Sequence, residues 1–123
     1  MELKRCLFVD DSNVVRKVAR RILSGSDMLV MEASTGSEAI DACATEMPDI
    51  IVIDGALPDM PTDMVIRRIR ALETPVRPRI AVCLVELDIS AIMRAKRAGA
   101  DDYLLKPFDR SQLLARFRNM EAA

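Results

Sequence analysis

One stretch constrains the fold of this chain more than any other: Leu7-Phe8-Val9, followed at once by Asp10-Asp11 and the polar pair Ser12-Asn13. A short unbroken apolar run suits a strand covered on both faces, as in a parallel sheet. Two carboxylates cannot share that interior. They mark the strand's end, where a helical pattern begins at Val14. In open α/β sheets the carboxyl ends of the strands are where ligands bind. Neighbouring carboxylates raise each other's pKa unless a cation or a hydrogen-bond donor relieves them. The rest of the chain is therefore expected to bring a third acid, a cation, or both to this edge.

Two other apolar runs meet that expectation. Ile50-Ile51-Val52-Ile53, all β-branched, ends in Asp54, and Tyr103-Leu104-Leu105 ends in Lys106 before Pro107-Phe108. If the three strands are parallel neighbours, Asp10, Asp11, Asp54 and Lys106 converge. Three carboxylates and one ammonium suit a small hard cation together with a phosphoryl group. Magnesium prefers oxygen ligands and keeps some of its waters. Lysine holds a phosphoryl oxygen as a mobile point charge.

Val-Asp-Asp, then Val-Ile-Asp, then Lys-Pro-Phe within Gly-Ala-Asp-Asp-Tyr-Leu-Leu-Lys-Pro-Phe, in this order and at these separations, resemble the receiver domain of two-component response regulators. The resemblance runs from about Leu3 to Phe117. It implies that Asp54 is the phosphoacceptor and that Asp10 and Asp11, with Asp54 and the backbone carbonyl of Ala56, hold Mg2+. It also implies that Lys106 contacts the phosphoryl group and that the Lys106-Pro107 bond is cis. The implied fold is an α/β, doubly wound, CheY-like sheet of five parallel strands in the order 2-1-3-4-5. The implied partners are a sensor histidine kinase or phosphotransfer protein and a downstream protein target.

Composition agrees with that frame. At 123 residues the chain has the size of one domain, and half its residues are hydrophobic. Eighteen basic and 19 acidic residues leave a net charge of −1. That balance gives no reason to expect DNA binding or a membrane surface, and no apolar span is long enough for insertion. Cys6, Cys43 and Cys83 lie in segments that read as core, as buried thiols of a reducing, cytoplasmic compartment do. The absence of histidine excludes a histidine kinase or phosphotransfer domain, zinc sites built on histidine, and Ser-His catalysis. With about six residues after Phe117, the expectation is a single receiver over 1–123 without an output domain.

In chain order, strands are expected at 3–9, 28–33, 50–54, 79–85 and 103–105. Glu32 interrupts the second, which therefore belongs near a sheet edge. Asn13 is the expected cap of a first helix with Val14, Val15, Val18, Ile22 and Leu23 inward and Arg16, Lys17, Arg20 and Arg21 in water. Ser24-Gly25-Ser26 should stop it. Further helices are expected at 37–45, with Ala39, Ile40 and Cys43 inward, at 63–72, and at 89–98, closed by Gly99. A last one follows Asp109, with Leu113, Leu114 and Phe117 inward. Right-handed crossovers between five βα units put helices on both faces.

Two departures from the family stand out. The fourth strand of a receiver ends in Thr or Ser; here the corresponding position falls on Leu84, or on Val85 if one residue is deleted. Neither has a hydroxyl, whereas the aromatic switch position three residues before the lysine is present as Tyr103. Pro61-Thr62 stands where the family usually has Asp-Gly, at a cost in backbone freedom. The first departure supports an alternative function, a receiver-like binding module that acts largely independently of phosphorylation. A phosphatase with an aspartyl nucleophile is disfavoured, because the position of its general acid is Ala56.

Overall fold

The alternating pattern folds into five βα units. The structure is a computed structural model that describes residues 3–25 and 27–122; Ser26 of the expected helix stop lies outside the described residues. In chain order the elements are β1 (Lys4–Val9), α1 (Asn13–Leu23), β2 (Met28–Ala33), α2 (Gly36–Thr45), β3 (Ile50–Asp54), α3 (Thr62–Ala71), β4 (Arg79–Leu84), α4 (Ile89–Ala98), β5 (Asp102–Leu105) and α5 (Arg110–Ala122). The strands are parallel and ordered β2-β1-β3-β4-β5. Glu32 lies on β2, an edge strand, as its charge requires.

Strand alternation divides the core into two layers. Leu7, Val9, Ile51, Ile53, Ile80 and Val82 face the buried sides of α2, α3 and α4. Cys6, Phe8, Ile50, Val52, Ala81, Cys83 and Leu104 face α1 and α5, where Ala19, Leu23, Leu113 and Phe117 meet them. Every residue of β3 is buried, and each of its Ile and Val side chains contributes roughly 1.5–3 kcal/mol by leaving water. Met120 extends the inward stripe of α5 by one turn. All three cysteines are buried free thiols.

Helix α1 is rotated from its expected setting. Its cap is Ser12, whose Oγ accepts the Val15 N–H at 3.2 Å, while Asn13 is already helical. Val14 is 72% exposed and Val18 is also exposed. Arg16, expected in water, is buried: it donates to the Asp10 carbonyl at 2.6 Å, to Glu32 Oε1 at 3.1 Å and to Asn13 Oδ1. Lys17 and Arg20 reach the same Glu32 carboxylate. Burial opposes ionisation of Glu32, but these three cations win and hold its carboxyl below the usual range. The single acid of the edge strand thus sets the roll of the helix above it.

At the amino end of the sheet, Gly99 closes α4 with φ of 122°, a backbone region that side chains other than glycine rarely enter. Arg70 of α3 clasps that turn. It donates to the Gly99 carbonyl at 3.0 and 2.8 Å, to the Pro78 carbonyl at 2.7 Å and to Asp101 Oδ2 at 2.9 Å. Asp101 also accepts the Ile80 N–H at 2.9 Å. Burial pushes the Asp101 carboxyl up, but this amide and the charges of Arg70, Arg79 and Arg77 outweigh it and leave the pKa lowered. A depressed folded pKa stabilises the fold above the ordinary aspartate range, and that contribution fades as pH falls through the folded value. Asp101→Asn is therefore expected to lower stability at neutral pH by about 1–3 kcal/mol, measured by urea unfolding. The gap to wild type should shrink in acid; an equal gap at all pH values would contradict this account.

Candidate functional site

Topology brings the three charged strand ends together. Val9 at the end of β1 pairs with Ile53, so Asp10 follows beside Asp54, the last residue of β3. On the other side, the Lys106 N–H donates to the Leu84 carbonyl at 2.8 Å and extends the β4–β5 ladder past the strand. Lys106 then reaches back across β4, with Nζ 2.8 Å from Asp10 Oδ2 and 3.3 Å from Asp54 Oδ1. Asp10 is 0% and Asp54 is 6% exposed, while Asp11 opens to solvent. One carboxylate oxygen from each of the three lies within 4.8 Å of the others. Backbone donors complete the set: Ser12 N–H to Asp10 Oδ1 at 2.9 Å and Ala56 N–H to Asp54 Oδ1 at 3.2 Å. The Lys106-Pro107 bond is cis.

The charges do not balance. Burial, and then the charge of Asp10, push the Asp54 pKa up; the Ala56 amide and Lys106 act against this without cancelling it. For Lys106, burial disfavours the ammonium, but the bond to Asp10 and the two carboxylates more than compensate and raise its pKa. A protonated lysine thus meets Asp10 and Asp54, and Asp11 adds a third acid to the cluster. Carboxylate oxygens alone, one of them at the open side, are the donor set of a small hard cation that retains several waters. The residues present fit magnesium.

Of the two candidates for the missing hydroxyl, Leu84 ends β4 opposite Leu105, whereas Val85 is 74% exposed beyond the strand. Leu84 therefore takes the position beside the site. Its Cδ2 would lie 2.5 Å from a Cβ at Gly55, so the glycine is what admits the leucine. Tyr103 is half-buried against the same core layer as Leu84, and the Arg116 guanidinium lies 4.9 Å from the centre of its ring, a cation–π contact.

Three neighbours were invisible in the pattern of strand ends. Arg16, expected in water, holds the Asp10 carbonyl. Thr62 is buried, and its hydroxyl donates to the Asp54 carbonyl at 2.7 Å. Asp59, in the loop after Asp54, bonds two amides of α2. A Thr directly before the expected helix start at 63 was the available signal for Thr62. Arg16 carried none, because helical spacing assigned its face to solvent.

The family model of the response regulator receiver domain matches residues 6–118, and the chain belongs to this family. Among curated proteins it is similar to response regulator MprA of Mycolicibacterium vanbaalenii. The two are 39% identical over 114 residues, which are 93% of this chain and 48% of the relative. The chain thus spans about half the length of the curated relatives it matches. Among solved structures, one described as a response regulator from Chloroflexus aurantiacus superposes with a TM-score of 0.87 at 31% identity, over 99% of this chain and 100% of the other. Chemotaxis protein CheY4 of Vibrio cholerae, 24% identical, shares the fold with a TM-score of 0.89, over 96% and 98% of the two chains.

The raised pKa of Asp54 has a thermodynamic consequence. An acid whose folded pKa exceeds its unfolded value has no effect below the ordinary carboxylate range, and it destabilises the fold increasingly as pH rises to the folded value, beyond which the penalty is complete. In metal-free buffer at neutral pH, Asp54→Asn is expected to melt above wild type. That advantage should vanish in acid and reverse when magnesium saturates the wild-type site. Thermal melts with chelator, at two pH values and with excess magnesium, check all three; a variant that melts below wild type in chelator would refute the charge account.

Proposed function

We propose that this chain is a phosphoacceptor signalling module in which Asp54 takes a phosphoryl group from the phosphohistidine of a sensor kinase or phosphotransfer protein. Membership of the receiver family supports this reading. The observation that carries it is the setting of Asp54: a nearly buried carboxylate at a strand end, 3.3 Å from a lysine ammonium and beside two further acids. An Asp54 oxygen forms the new O–P bond as the N–P bond of the donor breaks, and the imidazole leaves with the electron pair. Lys106, kept protonated by its neighbours, faces the charge on the phosphoryl oxygens. Asp10, Asp11, Asp54 and the Ala56 carbonyl would hold Mg2+, which when bound neutralises charge on those oxygens and fixes their orientation. The Ala56 side chain has no group to activate water, so the acyl phosphate hydrolyses slowly. The module is a switchable acceptor rather than a classical enzyme. A net charge of −1 offers no general attraction to DNA and favours readout by a downstream protein.

One observation favours a second reading, a binding module largely indifferent to phosphorylation. Leu84 offers no hydrogen bond to a phosphoryl oxygen, a contribution of about 1 kcal/mol or more, and Tyr103 is already packed beneath Arg116. Conformational coupling requires differential interaction with the two states.

Incubation with magnesium and acetyl phosphate, read by intact mass, is expected to add one phosphoryl group to wild type and none to Asp54→Asn. Asp11→Ala should weaken magnesium binding about tenfold or more, on the scale seen when metal-site groups are lost, by calorimetric titration. A phosphorylated Asp54→Asn protein would sink the assignment. A separate comparison of the free protein with its beryllofluoride complex decides the strength of the switch. Tyr103 is expected to keep its ring orientation in NMR spectra, and partner affinity to change less than the roughly 5–150-fold of ordinary allosteric coupling. A swing of Tyr103 from its half-buried place to full burial would show that the missing hydroxyl does not matter.

A further inference from the structure

The loop from Gly55 to Pro61 carries the backbone that faces Asp54, and its hydrogen bonds tie it down at three separate points. Gly55 N–H donates to the Cys83 carbonyl at 2.8 Å, which holds the loop's first residue to β4. The Thr62 hydroxyl donates to the carbonyl of Asp54 itself at 2.7 Å, which draws the loop's far end back to its origin. Between them, Asp59 reaches sideways to another helix. Its Oδ1 accepts Gly36 N–H at 2.8 Å and its Oδ2 accepts Ser37 N–H at 2.9 Å, two of the amides at the start of α2 that no helical carbonyl can satisfy. The cap of α2, Thr35, takes only the Glu38 amide. A carboxylate suits that end of the helix dipole. Pro58 and Pro61 flank Asp59 and fix φ on either side of the anchor. Ala56, by contrast, is exposed, and its amide bonds Asp54 Oδ1 at 3.2 Å. Its position is inherited from the anchors around it.

We infer that Asp59 and Thr62 are positioning residues for phosphoryl acceptance: they clamp the loop so that the Ala56 backbone stays aligned with the Asp54 carboxylate before metal or phosphate arrives. The inference rests on Asp54 being the acceptor and adds which residues preorganise it. A loop of this length, exposed at Gly55, Ala56, Pro58 and Asp59, opens readily when untied, and an untied backbone must be ordered at the moment of binding. Loss of either anchor therefore weakens magnesium binding and slows phosphorylation most where magnesium is limiting. It acts less at saturation, where the bound metal does the ordering.

The test compares wild type with Asp59→Ala, Asp59→Asn, Thr62→Val and Thr62→Ser. The readouts are exchange of the Ala56 amide in metal-free protein by NMR, magnesium affinity by calorimetry, and phosphorylation by acetyl phosphate across magnesium concentrations. Asp59→Ala and Thr62→Val are expected to speed Ala56 exchange and weaken magnesium binding about tenfold, the scale typical of groups that orient metal ligands. Their phosphorylation rates should approach wild type at saturating magnesium. Thr62→Ser, which keeps the hydroxyl, should recover the wild-type values; Asp59→Asn, which keeps one acceptor oxygen, should fall between. Variants that melt lower but keep wild-type Ala56 exchange and magnesium affinity would overturn the inference, leaving the two residues as stability contacts only. Asp59 is exposed, so its variants remain a fair test even if Thr62→Val folds poorly. Wild type that never gains phosphate would instead defeat the acceptor assignment, leaving the amide-exchange result to judge the clamp by itself.

Discussion

The central strands β1 and β3 are covered by helices on both faces, and a charge can leave them only at an end. This constraint organises the molecule. Asp10 follows Val9 and Asp54 follows Ile53, each one step past an interior that rejects it. Because the two strands are neighbours and parallel, both acids emerge side by side. Asp10 nevertheless remains wholly buried, and a buried carboxylate without partners is strongly destabilising. Lys106, the Ser12 amide and a second acid share that pocket, so the ammonium is fixed by the need of Asp10 before Asp54 makes any use of it.

The two edges of the sheet treat the same residue type in opposite ways. At the amino edge, Asp101 accepts a backbone amide and faces Arg70, Arg77 and Arg79, and its pKa is lowered. At the carboxyl edge, Asp54 has one amide and a shared lysine against a second carboxylate, and its pKa is raised. The first arrangement is saturated with donors and holds α3, α4 and β5 in place. The second is short of positive charge and so has a use for a cation. The charge-saturated edge and the charge-deficient edge are separated by the length of a strand.

Much of this was legible from residue order. Strand ends revealed the acids and the lysine, because a two-faced strand leaves no other place for them, and Glu32 correctly marked the edge. Helix faces were less legible. The valines of α1 repeat at helical spacing, yet Val14 and Val18 are exposed and Arg16 is buried. Periodicity weighs only apolar residues, whereas the roll of this helix is decided by one carboxylate on the strand that follows it, Glu32, 16 residues beyond Arg16. Asp59 and Thr62 were hidden for a similar reason. Each looks like ordinary loop chemistry, and its meaning lies in which backbone group it meets across the fold. The hydroxyl absent from β4 was readable as an absence, but only geometry decides between Leu84 and Val85.

The fit of Leu84 over Gly55 has an implication for how this chain can vary. A methyl at position 55 would press to within 2.5 Å of the leucine Cδ2 and 3.2 Å of the Cys83 carbonyl, so a side chain at 55 makes Leu84 turn aside. A smaller residue at 84 relaxes the demand for glycine at 55, and a larger residue at 55 requires that 84 shrink or turn aside. Substitutions here are non-additive in the way expected of residues in contact. A Ser or Thr at 84 would therefore do more than add a donor: it would also leave room beside the backbone at Gly55, next to Asp54.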